Sequence, residues 1–256
     1  MARRCAFCDA EIPRGAPPEH VIPTWMGKFK PKGTILQHTT HPERRGEIEV
    51  PATRPIYRSN KFDLTADTVC EPCNHGWMSD LETWCSPLLT PMIQDQRTGL
   101  ALERQVLLAQ WIAKTALTWD QSMELNSRQY PLEFSRSLKQ RRLPPPGGIV
   151  RLGRYRGSNT DLIEMVYDGL YRELPTDPVS PGPPEAHRTT IRIGKLITEF
   201  TVTEDAEPVV RSAGGDINDM LLTIWPSADV ASWPPRLAFG DEAWESFIEA
   251  ETWDRP

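Results

Sequence analysis

Two pairs of cysteines share the spacing Cys-x-x-Cys and lie far apart in the chain. Cys5 and Cys8 stand in "CAFC", and Cys70 and Cys73 stand in "CEPC". Four thiolates suit a tetrahedral Zn²⁺ with no open coordination position, which makes such a site structural. The alternatives are four small buried residues or redox-active pairs, but neither pair has the β-α-β context of a thioredoxin-like motif. We therefore predict a structural zinc site.

A carboxylate, two imidazoles and an amide accompany these cysteines. Glu19 and His20 stand in "PPEHVIPTW", and Asn74 and His75 directly follow the second pair in "CNHGW". A zinc ion that joined both pairs would bring these two segments together. Carboxylate and amide oxygens hold hard divalent ions, and an imidazole can take a proton from water. The set is typical of metal-assisted hydrolysis.

The order of these motifs resembles a known family. The runs "CAFC", "EHVIP" and "CEPCN" follow the pattern of zinc-stapled HNH endonucleases, which belong to the ββα-metal, or His-Me finger, superfamily. The core of the resemblance covers about residues 1–90. The runs "CNHGWMSDLE", "WIAKTAL", "IWP" and "WPP" are similar to a less-studied HNH-like subgroup and extend the resemblance beyond the core.

The resemblance implies a role for each matching residue. His20 would be the general base that activates water, and Glu19 and Asn74 would hold a catalytic Mg²⁺ or Mn²⁺. This ion would stabilise charge on the scissile phosphate and on the leaving oxygen. The structural Zn²⁺ would be held by Cys5, Cys8, Cys70 and Cys73. The implied function is a metal-dependent endonuclease that hydrolyses phosphodiester bonds, with DNA as the expected substrate.

Two positions depart from the family pattern. The asparagine that orients the family's histidine has no counterpart in "FDLTADTVC": Thr65 stands at its usual spacing, and Asp63 is the nearest match. The residue before His20 is Glu19, where aspartate is the commoner choice. Glutamate is one methylene longer, so the ion would sit slightly differently although its oxygen ligand is unchanged.

Simpler roles remain open for two of the site residues. Asn74 precedes a predicted helix, and asparagine is a preferred N-cap. It could also serve both purposes, because a helix N-terminus favours a bound phosphate. His75 is a candidate catalytic residue, a second ligand, a phosphate contact or an ordinary surface residue.

The charge of the chain is distributed unevenly. Residues 1–156 contain 22 Lys and Arg against 16 Asp and Glu, whereas residues 157–256 contain 7 against 19. The front half would therefore face a polyanion more readily than the rear half. Phosphate contacts supply most of the sequence-independent affinity for nucleic acid. The candidate substrate-binding residues are Lys28, Lys30, Lys32, Arg141 and Arg142.

The periodicity of the front half predicts helices. One helix is expected to begin at Asn74, with an apolar face of Trp77, Leu81, Trp84 and Leu88, and to end at Pro87 and Pro91. A second helix is expected over residues 101–123, and a third over 131–142. The stripe of the second helix comprises Leu108, Trp111, Ile112, Thr115 and Trp119. We expect the tryptophans of these helices to lie in the core.

The chain changes character at "PPPGG", residues 144–148. Beyond this point "GIVRLGRYRG", "DLIEMVYDGLYREL", "HRTTIRIGKLITEFTVTE" and "MLLTIWP" predict strands, and the third of these predicts a half-buried hairpin. We predict an α+β protein with a ββα-metal core at residues 1–90, which carries an insertion at 24–62. A helical segment at 91–143 and an antiparallel β-rich part at 144–256 would follow.

Composition limits the remaining choices. The chain has no run of apolar residues long enough to span a membrane, and "MARRCAFCDAE" lacks the apolar stretch of a secretory signal. We expect a cytoplasmic protein with reduced thiols. A catalytically inactive zinc module that binds nucleic acid or protein is the main alternative function, and RNA is an alternative substrate.

Overall fold

The computed structural model describes residues 3–29, 35–40, 56–59, 64–123, 128, 130–158, 160, 163–170, 186–203, 210–211, 215–227, 229–249 and 253–254. The described elements confirm a mixed α+β fold. The strands, in chain order, are β1 (Arg3–Arg4), β2 (Glu11–Ile12), β3 (Glu19–His20), β4 (Ile35–Thr40), β5 (Ile56–Ser59), β6 (Thr65–Ala66), β7 (Thr98–Leu100), β8 (Ile149–Arg154), β9 (Ile163–Leu170), β10 (Ala186–Ile193), β11 (Leu196–Thr203), β12 (Val210–Arg211), β13 (Leu221–Trp225), β14 (Ala231–Trp233) and β15 (Trp253–Asp254).

The helices are fewer and unequal in length. They are α1 (Ser79–Ile93), α2 (Leu102–Ser122), α3 (Leu132–Arg141), α4 (Gly215–Asn218) and α5 (Asp241–Glu249), together with a 3₁₀-helix at Thr24–Phe29 and a π-helical segment at Cys73–Met78. Among the helices of the described residues, none combines the length and the apolar composition needed to cross a lipid bilayer.

Helix α1 corrects two expectations. It begins after a kink at Gly76, whose φ and ψ of −93° and −115° are not helical, and it continues through both Pro87 and Pro91 to Ile93. Pro87 is exposed and Pro91 is half-buried. The backbone carbonyls that these prolines leave unpaired can therefore reach water, while the opposite face of the helix packs on α2.

Trp84 lies on the surface rather than in the core, with 57% of its area exposed. The face that α1 buries is formed by Leu81, Cys85, Leu88, Leu89 and Met92, which recur at steps of three and four residues. Trp84 lies at the edge of this face because one helical residue turns about 100°. The prediction that Trp84 belongs to the apolar face was therefore wrong.

Helix α2 runs through the interior of the protein. The predicted stripe is confirmed, because Leu108, Trp111, Ile112, Thr115 and Trp119 are all buried. Burial extends around most of the helix, and it also includes the polar residues Gln105, Gln110, Lys114, Asp120 and Gln121. A helix that is buried nearly all round must pair its charges internally.

The largest sheet has seven strands in the order β13-β8-β11-β10-β9-β4-β5. Its pairs are antiparallel except for β4 and β9, which are parallel. The predicted antiparallel strands are thus confirmed, and β4 and β5 from the insertion extend the same sheet. The division of the chain into residues 1–90, 91–143 and 144–256 stays a prediction.

Both faces of this sheet are covered. Val150, Leu152 and Phe200 share a hydrophobic core with α1 and α2, and Val166 and Ile197 pack with Trp244 and Phe247 on the other side. Every residue of β10 and β11 is buried. The expected half-buried hairpin was therefore wrong in its burial, although its two strands and its Gly194–Lys195 turn are present.

Charged pairs between neighbouring strands allow polar side chains to be buried in the sheet. Arg192 stands opposite Glu164 and Arg151 opposite Glu199 in the strand register. Their guanidinium nitrogens lie 2.6 and 2.7 Å from the paired carboxylate oxygens. A buried charge is tolerated only when a partner of this kind compensates for its loss of water.

Candidate functional site

The four cysteines of the two pairs converge on one point. Their Sγ atoms all lie within 4.8 Å of one another, and Cys8 Sγ is 3.5 Å from Cys70 Sγ. A tetrahedral ZnS₄ centre with bonds of about 2.3 Å has sulfur–sulfur edges of about 3.8 Å. The arrangement therefore fits a structural zinc ion, held by Cys5, Cys8, Cys70 and Cys73.

Tight turns position the sulfurs. Between β1 and β2, the Cys5 amide donates to the Ala10 carbonyl at 2.8 Å, and the Asp9 amide donates to the Cys5 carbonyl at 2.9 Å. At the second pair, the amides of Cys73 and Asn74 both donate to the Cys70 carbonyl at 3.0 Å. Each turn directs its two thiols to the same side, as a chelating pair requires.

The crowding of the sulfurs makes a cation favourable. A hydrogen bond from Cys73 lowers the pKa of Cys5 to about 4, whereas burial raises the pKa of Cys70 to about 11. The same contact with Cys5 raises the pKa of Cys73. One thiolate in the group thus opposes ionisation of the others, and a bound divalent cation would remove this conflict.

Helix α3 and the residue that follows it pack against the two segments that carry the cysteine pairs. Phe7 contacts the ring of Trp77 edge-on, with centroids 5.7 Å apart. The Arg142 guanidinium lies 4.6 Å from the Trp77 centroid, and the Lys139 ammonium lies 5.8 Å from it. Trp77 is buried, as predicted. Two cations therefore border the segment that carries Asn74.

Backbone and side-chain contacts bring the two segments of the candidate site together. Strand β3, which is Glu19–His20, pairs antiparallel with β6, and the Val21 amide donates to the Leu64 carbonyl at 2.9 Å. The Asn74 side-chain amide nitrogen lies 3.5 Å from the Pro18 carbonyl oxygen. Asn74 therefore reaches the residue that immediately precedes Glu19.

His20 stands directly opposite Thr65 in the β3–β6 register. Directly opposite side chains of an antiparallel pair lie on one face, with their Cβ atoms about 5 Å apart. Thr65 is the residue at the spacing where the sequence comparison above expects an orienting asparagine. Asp63, the other possible match, lies outside the described residues. Thr65 is therefore placed where a side chain could orient His20.

A residue that sequence inspection missed contacts Glu19. The Lys114 ammonium lies 2.6 Å from Glu19 Oε1 and 2.7 Å from Glu82 Oε1. Lys114 is fully buried, whereas the side chains of Glu19 and Glu82 are 7% and 21% exposed. Burial by itself lowers the pKa of Lys114, but the two carboxylates outweigh it and hold the pKa above its ordinary value. The ammonium therefore stays charged.

One signal in the sequence could have drawn attention to Lys114. It interrupts "WIAKTALTW", residues 111–119, in which the residues on either side were predicted to be buried. A lysine within a stripe of this kind needs an internal partner. The identity of the partners could not be inferred, because Glu19 and Glu82 come from different elements.

The other predicted site residues are spread more widely. His75 is 62% exposed, and its Nδ1 lies 3.6 Å from Glu71 Oε1. The Lys28 ammonium lies over the rings of Trp25 and Phe29, at 5.4 and 4.9 Å, and Arg141 is exposed at the end of α3. Lys30 and Lys32 lie outside the described residues.

The fit of a second, catalytic ion is only partial. Within the described residues, the four-cysteine cluster is the one group of three or more His, Cys, Asp and Glu side chains whose ligand atoms could hold a metal together. A hard ion near His20 would have to use the second oxygen of Glu19, the amide oxygen of Asn74 and water. One carboxylate and one amide form a minimal but chemically suitable ligand set.

A shallow cleft of about 610 Å³ begins beside Glu82. It is lined by Trp25, Ser79, Glu82, Thr83, Ser86, Pro87, Thr90 and Pro91. Trp25 follows "EHVIP" in the chain, and Lys114 connects Glu82 to Glu19. Glu19, His20 and Asn74 are not among the residues that line it.

Comparison of the chain with protein-family models, with curated proteins and with solved structures finds no match.

Proposed function

We propose that this protein is a metal-dependent endonuclease that hydrolyses phosphodiester bonds, with DNA as its substrate. The observation that carries the proposal is the contact of Asn74 with Pro18. It joins the residue after the second cysteine pair to the segment that contains Glu19 and His20. The contact supports the proposal because it brings Asn74 next to the segment whose motif order resembles that of zinc-stapled HNH endonucleases.

Each side chain of the candidate site would have a separate role in hydrolysis. His20 would remove a proton from the attacking water, and Thr65 would orient its ring from the opposite strand. Glu19 and Asn74 would hold a Mg²⁺ or Mn²⁺, which supplies stabilisation of negative charge on the phosphate when it is bound. Arg142 and Lys139, which border Trp77, would neutralise neighbouring phosphates of the strand.

A second candidate function is a catalytically inactive zinc module that binds nucleic acid or a protein. The observation that favours it is the ion pair between Glu19 and Lys114. An ammonium already neutralises the carboxylate that the hydrolytic function assigns to a metal ion. The absence of the family's orienting asparagine also favours this alternative.

A plasmid-nicking assay separates the two functions. Wild-type protein and His20→Ala are compared in Mg²⁺, in Mn²⁺ and in EDTA, with circular dichroism and zinc content as controls for folding. Cleavage that requires the divalent ion and is lost in His20→Ala supports hydrolysis. No cleavage of DNA or RNA by zinc-loaded wild-type protein supports the inactive module.

A further inference from the structure

Two arginines from distant parts of the chain converge on the carboxylate of Asp9. Arg4 Nε donates to Oδ1 at 3.0 Å and Arg4 Nη2 to Oδ2 at 2.8 Å, and Arg136 Nη2 donates to Oδ1 at 3.1 Å. Arg4 lies on β1, whereas Arg136 lies on α3, 127 positions after Asp9. We refer to Arg4, Arg136 and Asp9 as the arginine clamp. The fold has therefore brought two cations to one point on the surface.

Stability alone gives little reason for this convergence. The side chains of Arg4, Asp9 and Arg136 are 60%, 48% and 46% exposed. Ion pairs with this exposure contribute little to the free energy of unfolding, because water and salt screen their attraction. The turn that carries Asp9 is held independently by backbone hydrogen bonds, one of which the Asp9 amide donates to the Cys5 carbonyl. The clamp is therefore better explained by a role in binding.

The Asp9 carboxylate occupies a position that suits a phosphate. A guanidinium presents its N–H donors in a fork that matches carboxylate and phosphate oxygens alike, and clusters of arginines recognise phosphates for this reason. The hydrogen bond from Arg4 holds the pKa of Asp9 below its ordinary value, so Asp9 is ionised at neutral pH. A phosphate that displaced it would receive the same donors, while Asp9 would turn toward water.

Cations continue from the clamp along α3 toward the segment of Asn74. Lys139 follows Arg136 by three residues, which places the two side chains next to each other on the helix. Lys139 and Arg142 both border Trp77, which stands three residues after Asn74 in the chain. A row of cations fits the repeated phosphates of a nucleic-acid strand better than it fits a single small anion.

We propose that Arg4 and Arg136 bind a backbone phosphate of DNA, and that Asp9 occupies this phosphate site in the free protein. The inference rests on the proposed function for the identity of the nucleic acid, and it names a contact outside the candidate site. Asp9 is an internal competitor, which lowers the affinity for DNA according to the fraction of protein in which the clamp is closed. Removal of the Asp9 charge should therefore strengthen DNA binding, whereas removal of either arginine should weaken it.

Fluorescence anisotropy with a short labelled DNA duplex tests the clamp. All proteins are zinc-loaded and carry His20→Ala, so that the duplex is not cut. Asp9→Asn should tighten binding about threefold or more and steepen its salt dependence by about one phosphate contact. Arg136→Ala should weaken binding and reduce the salt dependence by about one contact. Asparagine tolerates the positive φ of 61° at position 9, so Asp9→Asn preserves the turn.

Two controls separate the clamp from a general effect of charge. Glu133→Gln removes an exposed acidic group from the first turn of the same helix. It should change the affinity less than about twofold, because water and salt screen a charge outside the phosphate site. In a protein that lacks both arginines of the clamp, Asp9→Asn should also change the affinity less than about twofold, because no site remains for Asp9 to block.

Several outcomes would overturn the proposal. An equal gain from Asp9→Asn and Glu133→Gln, or a gain from Asp9→Asn that persists without the two arginines, would show a general effect of charge. Unchanged affinity and salt dependence in Arg136→Ala would show that the clamp only joins α3 to the turn, and this outcome decides the question even if Asp9→Asn does not fold. Polyglutamate that displaces the duplex from Asp9→Asn more effectively than unlabelled DNA would assign the clamp to an acidic protein instead.

The failure of the proposed function gives a different result. If the series holds but proteins with His20 cut no nucleic acid, the clamp is a DNA contact of a catalytically inactive module. If proteins with His20 cut DNA but the series is absent, the endonuclease stands and Arg4 and Arg136 serve only the fold.

Discussion

Cys8 Sγ and Cys70 Sγ lie 3.5 Å apart, although 62 positions separate the two residues in the chain. A zinc ion bound at this point would close the long loop that contains Glu19 and His20. The loop returns to β6 and to the start of the helical region. We therefore expect the fold of the candidate site to depend on a metal ion held by these sulfurs.

Removal of one zinc ligand should unfold the N-terminal part of the protein. Purified protein should contain one zinc per chain, and Cys73→Ser should lose it, with a decrease of about 4 kcal/mol or more in the free energy of unfolding. Zinc analysis and urea denaturation measure both effects. Cys85→Ser is the matched control, because Cys85 is buried but lies outside the cluster. Equal zinc content in both variants would contradict the assignment.

The two histidines near the cysteine pairs should differ in their effect on activity. His20→Ala should lower nicking by at least about 100-fold, because loss of a general base costs about two to four orders of magnitude. His75→Ala should retain activity within about threefold, because His75 is exposed and contacts Glu71. Time courses on supercoiled plasmid measure both rates. A greater loss for His75→Ala would reverse the assignment of the base.

Alanine substitutions of the two neighbouring arginines at the end of α3 should distinguish an effect on DNA binding from an effect on stability. Arg141→Ala should weaken DNA binding and reduce its salt dependence by about one phosphate contact, with unchanged stability. Arg142→Ala should also lower the free energy of unfolding by about 1 kcal/mol, because Arg142 stacks on Trp77. Fluorescence anisotropy at several salt concentrations and thermal denaturation test these outcomes. Identical stability of the two variants would show that the stacking contributes nothing measurable.

Tryptophans of the helices should respond to truncation according to their burial. Trp111→Ala should cost about 3–5 kcal/mol, because Trp111 is 1% exposed in the core. Trp84→Ala should change stability by less than about 1 kcal/mol, because 57% of Trp84 faces solvent. Chemical denaturation measures both values. A large cost for Trp84→Ala would show that its buried edge matters more than its exposure indicates.

Acid should destabilise the protein through His187. This residue is 3% exposed on the α2 side of the sheet, next to Tyr130, and burial lowers its pKa to about 4. Because the unfolded chain takes up the proton at about pH 6.5, the contribution of neutral His187 to the free energy of unfolding is fully present above that pH. This contribution decreases as the pH falls toward 4, and the full decrease is about 3 kcal/mol. Urea denaturation from pH 7 to 4.5 measures this slope.

His187→Gln removes the titrating group and serves as the control for that experiment. The difference in the free energy of unfolding between wild type and His187→Gln should shrink as the pH falls from 7 to 4.5. A difference that stays constant over this range would show that His187 titrates in the same way in the folded and unfolded chains.

Local patterns were sufficient for several of the longer elements. The stripe from Leu108 to Trp119 predicts α2, because helical periodicity reports which side chains face the core. The alternation in "TTIRIGKLITEFTVTE" predicts the strands β10 and β11, although not the burial of both their faces. The Cys-x-x-Cys spacing predicts the zinc ligands for a similar reason, since two turns of known geometry each offer two thiols. In these cases the information lies within a few neighbouring residues.

Other features depended on contacts between distant segments. The end of α1 was predicted at Pro87 and Pro91, but the helix continues to Ile93 because packing on α2 outweighs the local cost of the two prolines. Trp84 was predicted to be buried, but the kink at Gly76 and the packing direction of α1 place it at the edge of the buried face. Strands β10 and β11 can be buried on both faces because their charged residues pair with residues of opposite charge on neighbouring strands, as Arg192 does with Glu164.

By itself, the sequence determined the α+β composition, the central helix and the four cysteines that converge. Only the tertiary structure decided that Glu19 shares its carboxylate with Lys114 and that Asn74 reaches Pro18. The physical reason is that a charge or an amide selects its partner by proximity in space. Helix α2 supplies the ammonium from 95 positions away, and no local pattern encodes that distance.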